Sequence, residues 1–269
     1  MHLHSLGYRT DLIFAAFDGQ LIDRGHYLVI RTPANPTFYW GNFLLFARPP
    51  RPGDYPEWCN LFAAEIGRPP QVRHQTFGWD TSTGEVGAVR PFLEAGFRLN
   101  HFMVLTASQV WRPLNYSTEV TVRPLATEAD WDQALANQIL CREPGHEEAG
   151  YRLFKQRQLA RYQAMAAAGL GAWFGAFIGQ QLVGDLGLFH RQGLGRFQEV
   201  ETHPDYRRRG IGACMVFEAS RYALKHFAVE TLVIVADHDS AAARLYTSLG
   251  FEPTEQQVGL EWWEQDDND

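Results

Sequence analysis

Cysteine is scarce in this chain. Its three cysteines, at positions 59, 141 and 214, are scattered and odd in number. That excludes a disulfide framework and paired metal ligands, so reduced thiols and no metal are expected. Cys214 is expected to be packed, because a free cysteine behaves mainly as a small hydrophobe. Lysine is nearly absent: only Lys155 and Lys225 occur, and arginine carries the remaining positive charge. No run reaches the ~18 apolar residues that a membrane span requires. Met1–Thr10 lacks the apolar core of a secretory leader, so a cytoplasmic location with no membrane partner is expected. An excess of positive charge is also missing. The formal net charge is −7, and residues 261–269 hold five acids and no base. That argues against a nucleic-acid partner. What the chain does have is 45% apolar residues over 269 positions, enough for a full core in one large or two ordinary domains.

Against this acidic background one basic loop stands out. Residues 197–202 form an apolar, strand-like run that stops at Pro204. Arg207-Arg208-Arg209-Gly210-Ile211-Gly212-Ala213 follows and leads into a helical pattern. A strand, a glycine loop and a helix N-terminus together form an anion site. Glycines allow close approach to the main chain, and exposed N–H groups and the positive end of the helix dipole favour negative charge. A dinucleotide fingerprint is excluded, because it needs a third glycine and an acid about 20 residues on. A P-loop is excluded because no Gly-Lys-Ser/Thr follows.

A second motif lies downstream. Leu232–Ala236 reads as a buried strand, and Asp239 or Ser240 as an N-cap. Ala242, Leu245, Tyr246 and Leu249 recur at helical spacing, and Gly250 is a natural helix stop. The first loop resembles the Arg/Gln-x-x-Gly-x-Gly/Ala pyrophosphate loop of the GNAT superfamily of acyl-CoA-dependent N-acyltransferases. The second is similar to that family's Asn-x-x-Ala-x-x-Leu-Tyr-x-x-x-Gly-Phe. Two departures stand: Thr202-His203-Pro204 replaces Val-x-Pro, and Asp239 replaces the usual asparagine.

The resemblance, over about residues 118–263, implies an α/β (α+β) acyl-CoA N-acyltransferase fold with a mixed central sheet flanked by helices. It implies acetyl-CoA as co-substrate, with its pyrophosphate on the main chain of Arg207, Arg208, Arg209, Gly210, Ile211, Gly212 and Ala213. The main chain of Val200, Glu201 and Thr202 would hold the pantetheine and polarise the thioester, with Asp239 and Tyr246 also at the cofactor. Tyr246 would be the general acid toward the departing thiolate, although an aromatic at helical spacing also fits a core position. Glu199 and Glu201 are the candidate bases, on one side of their strand if its alternation is regular. His203 is adjacent, and Glu201 is favoured. Acceptor recognition would come from about Asp130–Ala168, where Arg142, Glu143, His146, Glu147 and Glu148 make a mostly acidic rim suited to a cationic amine. The expected activity is direct transfer of an acetyl group to a small-molecule primary amine. A non-catalytic acyl-CoA-binding module and a protein or peptide Nα-acetyltransferase remain alternatives, and a homodimer is left open.

Periodicity and turn residues place strands at 119–125, 173–178, 182–190, 197–202 and 232–236, with a final pair near Phe251 and 258–263. Helices are expected from Thr127 to Leu140, 147–168, about 209–227 and 240–249. In the N-terminal part, 12–17, 27–31, 38–46 and 72–79 read as strands and 55–66 as a helix. There, Arg90-Pro-Phe92-Leu-Glu-Ala-Gly96-Phe97 parallels Arg244-Leu-Tyr246-Thr-Ser-Leu-Gly250-Phe251. This suggests two tandem copies, 1–115 and 118–269, joined near Ser108–Ser117. The first copy is expected to be degenerate. Arg48-Pro-Pro-Arg-Pro-Gly53 stands where its glycine loop should be, prolines supply no N–H groups, and Phe92 has no hydroxyl.

Overall fold

A computed structural model describes residues 1–142, 147–238 and 240–264. The chain divides into two compact units. One is Met1–Val104 together with the chain from Thr254 onward; the other is Leu105–Pro253. The expected domains, 1–115 and 118–269, are corrected at both edges. The first unit ends at Val104, and the last strand of the chain belongs with it.

The first unit opens with α1 (Leu6–Asp18), where the apolar run at 12–17 suggested a strand. A short apolar run does not distinguish the two by periodicity. Here the helix extends N-terminally through Tyr8 and Thr10, and Tyr8 is fully buried. Then come β1 (Gln20–Asp23), β2 (Tyr27–Arg31) and β3 (Phe43–Phe46). Only the end of the run at 38–46 is strand. Tyr39–Gly41 turns as a 3-10 helix, and the Asn42 side chain closes the loop by donating to the carbonyls of Asn35 and Phe38 at 3.0 and 2.8 Å. The unit continues with α2 (Asp54–Glu65), β4 (His74–Trp79), α3 (Arg90–Glu94) and β5 (Arg98–Ala107), the last strand running on past the unit's edge at Val104. Its core is aromatic. Phe46, Trp58, Phe62, Phe77, Trp79, Phe92 and Phe97 are all buried in one cluster. Each such ring contributes ~2–3 kcal/mol on burial.

The second unit runs β6 (Thr121–Pro124), α4 (Glu128–Leu140), α5 (Glu148–Ala167), β7 (Gly171–Ile178), β8 (Gln181–Arg191), β9 (Leu194–Thr202), α6 (Ile211–His226), β10 (Thr231–Asp237) and α7 (Ala241–Ser248). Its strands are ordered β10-β9-β8-β7-β6. Thr127 caps α4 as expected, in a capping box with Asp130. Consecutive residues of β7 point to opposite faces. Trp173 stacks on Tyr162 of α5 at 4.9 Å, and Phe174 meets Tyr222 of α6 at 5.3 Å. The sheet is therefore covered on both faces. The expected terminal strand pair is one strand, β11 (Glu252–Trp263). Its polar start is extended backbone with exposed side chains. From Thr254 it lies in the first unit, where Gly259–Trp263 pairs antiparallel with Gly78–His74.

The two halves of the chain repeat one order: three strands, helix, strand, helix, strand. In each, the first three strands are antiparallel neighbours and the third pairs parallel with the fourth. Among the described residues no helix is long and apolar enough to cross a membrane.

Candidate functional site

The site lies where β9 leaves β10. These parallel strands are registered only from Leu194↔Thr231 to Arg196↔Val233. Beyond that point β9 continues to Thr202 and β10 to Asp237 without further register between them. One edge of residues 197–202 is thereby released from its neighbour. On its other side β9 stays paired with β8 through Glu201↔Asp185 and Thr202↔Gly184. In the first unit the equivalent strands are closed to their ends. Leu44, Leu45 and Phe46 face Phe77, Gly78 and Trp79, and the Asp80 N–H donates to the Phe46 carbonyl at 2.8 Å.

Close to the end of β9 stands the N-terminus of α6, where a Cβ on Gly212 would lie 3.4 Å from Thr202 Oγ1. The first N–H groups of any helix lack intrahelical partners. α6 starts from Gly210 with no side-chain cap and no acid in its first turn, and Lys225 and His226 sit in its last. Its dipole therefore presents an open positive end. The counterpart in the first unit carries negative charge of its own. α2 also starts from a left-handed glycine, Gly53, but Asp54 and Glu57 lie in its first turn. The Asp54 carboxylate accepts from the Arg51 N–H at 2.7 Å and from the Arg48 guanidinium at 2.5 and 3.3 Å. Burial works against this charge, but the bonds from Arg48 and Arg51 hold the Asp54 carboxyl below its usual range.

The two loop glycines act differently. Gly210 has φ +76°, and a Cβ there would sit 2.2 Å from the Asn115 carbonyl oxygen, so the backbone itself requires glycine. A Cβ at Gly212 would meet only Thr202 Oγ1 at 3.4 Å and Leu245 at 3.7 Å, so this glycine leaves room for a ligand. Arg207 donates to the Thr202 carbonyl at 3.1 Å. Arg209 lies over the Tyr206 ring and donates to the Asp205 carbonyl at 3.3 Å. Arg208 is exposed with φ +66°. Ile211 is buried, whereas Ala213 is part-exposed at the helix start.

Tyr246, on α7, is 5% exposed. Burial, and then the nearby charge of Glu201, hold its phenol well above the usual range. On β9, regular alternation fails. Between Asp185↔Glu201 and Gly187↔Gln198 the register shifts, and Glu199 takes φ +49° at this bulge. Glu199 and Glu201 nonetheless interact. Burial first, and Glu199 second, raise the Glu201 carboxyl, opposed by Lys155, the Cys141 thiol and Arg207. His203 belongs to the following turn, where its Nδ1 accepts from the Asp205 N–H at 3.3 Å.

Several residues here escaped the sequence reading. Lys155 of α5, 2% exposed, pairs with Glu199 at 2.8 Å. Asp185 is fully buried and accepts from Asn137 and Gln138 at 2.7 Å and from Trp173 at 3.0 Å. Burial raises its carboxyl to about 7 in spite of these three bonds. Gln138 also donates to the carbonyl of Glu199 at 3.3 Å, tying α4 to the bulge. The Cys141 thiol donates to the Thr202 carbonyl at 3.5 Å, and burial pushes it up to about 12. The signals were faint: one of only two lysines, and one acid within the apolar run 182–189. In the stretch expected to recognise an acceptor, Glu147 caps α5 and Glu148 pairs with Arg142 at 3.2 Å. Asp239, Glu143 and His146 lie outside the described residues.

Residues 170–253 match the family model described as "Acetyltransferase (GNAT) domain". No curated protein matches the chain in sequence. Solved structures share its fold. A functionally unknown conserved protein from Staphylococcus epidermidis has a TM-score of 0.68 at 13% identity, over 92% of this chain and 95% of that one. A GCN5-related N-acetyltransferase from Kribbella flavida has a TM-score of 0.62 at 16% identity, over 96% and 95%. A tandem GNAT protein from the clavulanic acid biosynthesis pathway has a TM-score of 0.50 at 16% identity, over 96% and 88%. At these identities the likeness is one of fold.

Proposed function

We propose that this chain, a tandem GNAT protein by fold and by the sequence of residues 170–253, moves an acetyl group from acetyl-CoA to a primary amine in its second unit. The observation that carries this reading is the opening of β9 from β10 beside an uncapped α6 N-terminus, with Tyr246 and Glu201 both near that opening. GNAT proteins generally use acetyl-CoA, and the residues present suit it. The diphosphate would meet the free N–H groups of residues 208–213, in the space that Gly212 leaves. The released edge of Val200–Thr202 offers main-chain groups to the pantetheine amides and to the thioester oxygen.

In this reading the ammonium of the acceptor gives a proton to Glu201. The free amine then attacks the thioester carbonyl, forming a C–N bond. A β9 N–H at the developing oxyanion contributes a few kcal/mol on the order expected for one such donor. The C–S bond breaks, Tyr246 donates its O–H to the leaving sulfur, and the second proton that the nitrogen sheds as the amide forms restores the phenol. A phenol held protonated by burial suits that role, because it is fully in its donor form at neutral pH. No enzyme nucleophile intervenes. Asp239 would stand at the cofactor as the family's asparagine does, and a cytoplasmic location fits the use of acetyl-CoA.

The test is release of free CoA thiol from acetyl-CoA across a panel of primary amines, with intact-mass analysis of the protein. Amine-dependent thiol release without a stable acetyl adduct is expected. Tight binding of acetyl-CoA with no turnover on any amine would instead indicate a binding module.

A further inference from the structure

Lys155 is the least expected group near the site. A buried ammonium is costly unless paired, because its hydration is lost. Lys155 is 2% exposed, and its Nζ bonds to Glu199 Oε2 at 2.8 Å and to Gln158 Oε1 at 3.0 Å, with the Tyr151 side chain also interacting with it. It lies 5.5 and 5.3 Å from the Tyr151 and Phe154 ring centres. Its partner Glu199 sits at the bulge of β9 with φ +49°, and the Glu199 carbonyl is held by Gln138. Glu199 is thus fixed at both ends, by an ammonium at its carboxylate and an amide at its main chain. Glu201, two residues on, makes no ion pair among the described residues, and the Tyr246 phenol senses its charge.

Building on the acyltransferase reading, we propose that Lys155 is a positioning residue that divides the two carboxylates of β9 between two roles. It holds Glu199 as a fixed counter-ion and leaves Glu201 to take the proton of the acceptor ammonium. The proton leaves nitrogen for a Glu201 oxygen, and the nitrogen lone pair so released forms the bond to the acetyl carbon. The charged and titratable groups facing Glu201 are Glu199 on its own strand, Lys155 and Tyr151 from α5, Cys141 from the end of α4, Asp185 from β8, Arg207 from the loop and Tyr246 from α7. Of these, Glu199 raises its carboxyl and Lys155 lowers it.

The arrangement makes predictions of opposite sign for two contacting residues. A base must be ionised, so the acid limb of kcat/KM against pH reports Glu201. Lys155→Met should move that limb to higher pH, Glu199→Gln to lower pH, and the double variant back toward wild type. Lys155→Arg should leave it near wild type, and Glu201→Gln should remove it. A merely structural role for Lys155 would change amplitude or stability without this pattern. Movement of both single variants in one direction, or an unmoved limb, would overturn the proposal. So would an intact limb in Glu201→Gln. The same shifts are to be read in the full chain by NMR titration of 13C-labelled glutamate carboxyls, which needs no turnover. A Glu201 resonance that moves as stated in a chain that acetylates no amine would sink the acyltransferase reading and leave the charge arrangement standing. A resonance that fails to move would sink this proposal alone.

Discussion

Phe92 and Tyr246 occupy the same position of the same helix-ending motif. The carbonyl of Phe92 accepts from the Ala95 and Phe97 N–H groups at 3.1 and 3.0 Å, and that of Tyr246 accepts from Leu249 and Phe251 at 3.0 and 3.2 Å. The next turn is closed in both by a left-handed glycine, Gly96 at φ +88° and Gly250 at φ +97°. The same hydrogen-bonded turn carries different surroundings. Phe92 is sealed among Tyr55, Trp58, Phe77 and Phe97, whereas Tyr246 lies within reach of the Glu201 charge. One copy uses the position for packing, and the other has a hydroxyl to offer.

That difference makes Tyr246→Phe the first variant to examine. Turnover should fall by about a hundredfold to ten-thousandfold, the range of a positioned general acid, with acetyl-CoA affinity nearly unchanged. Because burial and Glu201 raise the phenol, it stays protonated through the ordinary tyrosine range. The wild-type rate should therefore show no alkaline loss from this group below about pH 10. Steady-state kinetics and calorimetry on the two proteins check both points. A wild-type rate in the variant would leave Tyr246 a packing residue.

The first unit should bind no acetyl-CoA. Its strands are closed by Phe46↔Trp79 pairing, and the acids Asp54 and Glu57 in the first turn of α2 would repel a diphosphate there. Calorimetry of the full chain should give one acetyl-CoA per chain. A stoichiometry of two would show that the first unit retains a site. The whole chain is the right sample, because a cut near residue 117 would strip the first unit of β11, which pairs with β4.

Much of the second unit was legible because its local signals agree with one another. Thr127 and Gly250 mark element edges that the structure places within a residue or two. The first unit was harder. Residues 12–17 are apolar throughout, and nothing in them separates a strand from the helix they form. β11 was misread because its first half is polar and its partner, β4, lies about 180 residues earlier, a long-range pairing that local pattern does not encode. The anion loop and Tyr246 could be found by spacing. Lys155 and Asp185 could not, because their meaning arises only when α4 and α5 fold onto the bulge of β9. Even a correctly located residue could carry the wrong reason, as Gly210 did: its backbone angle, not ligand access, demands glycine.

Asp130 ties the start of α4 to β6. It accepts from the Arg123 guanidinium at 2.8 and 2.9 Å and from the Ala126 and Thr127 N–H groups at 2.9 and 3.2 Å. The Arg123 bonds outweigh burial and hold the carboxyl well below its usual range. A depressed carboxyl stabilises above its unfolded value, near pH 3.9, and that stability is lost as pH falls toward its folded value. Asp130→Asn should cost about 1–3 kcal/mol at neutral pH, the range for bonds to a charged group. The gap to wild type should narrow below about pH 4. Denaturant melts at pH 7 and pH 3 check the sign, and a gap that widens in acid would contradict it.

The two loop glycines separate fold from ligand site. Gly210→Ala should damage the loop whatever it binds, since the new Cβ meets the Asn115 carbonyl and the left-handed backbone is strained. Loss of acetyl-CoA binding in that variant would say little about the anion site. Gly212→Glu is the sharper probe. Residue 212 is the second residue of α6, where a glutamate gains helix propensity and meets the dipole favourably, each worth about 0.3–1 kcal/mol. Its Cβ has room beside Thr202 and Leu245. The melting temperature should hold or rise. The carboxylate, however, would lie where the diphosphate is proposed to bind and repel it, so acetyl-CoA affinity should drop on the order of a hundredfold, about 2.7 kcal/mol. Thermal melts and calorimetry on one sample read both effects. A stable Gly212→Glu protein with undiminished acetyl-CoA affinity would remove the α6 N-terminus from the site.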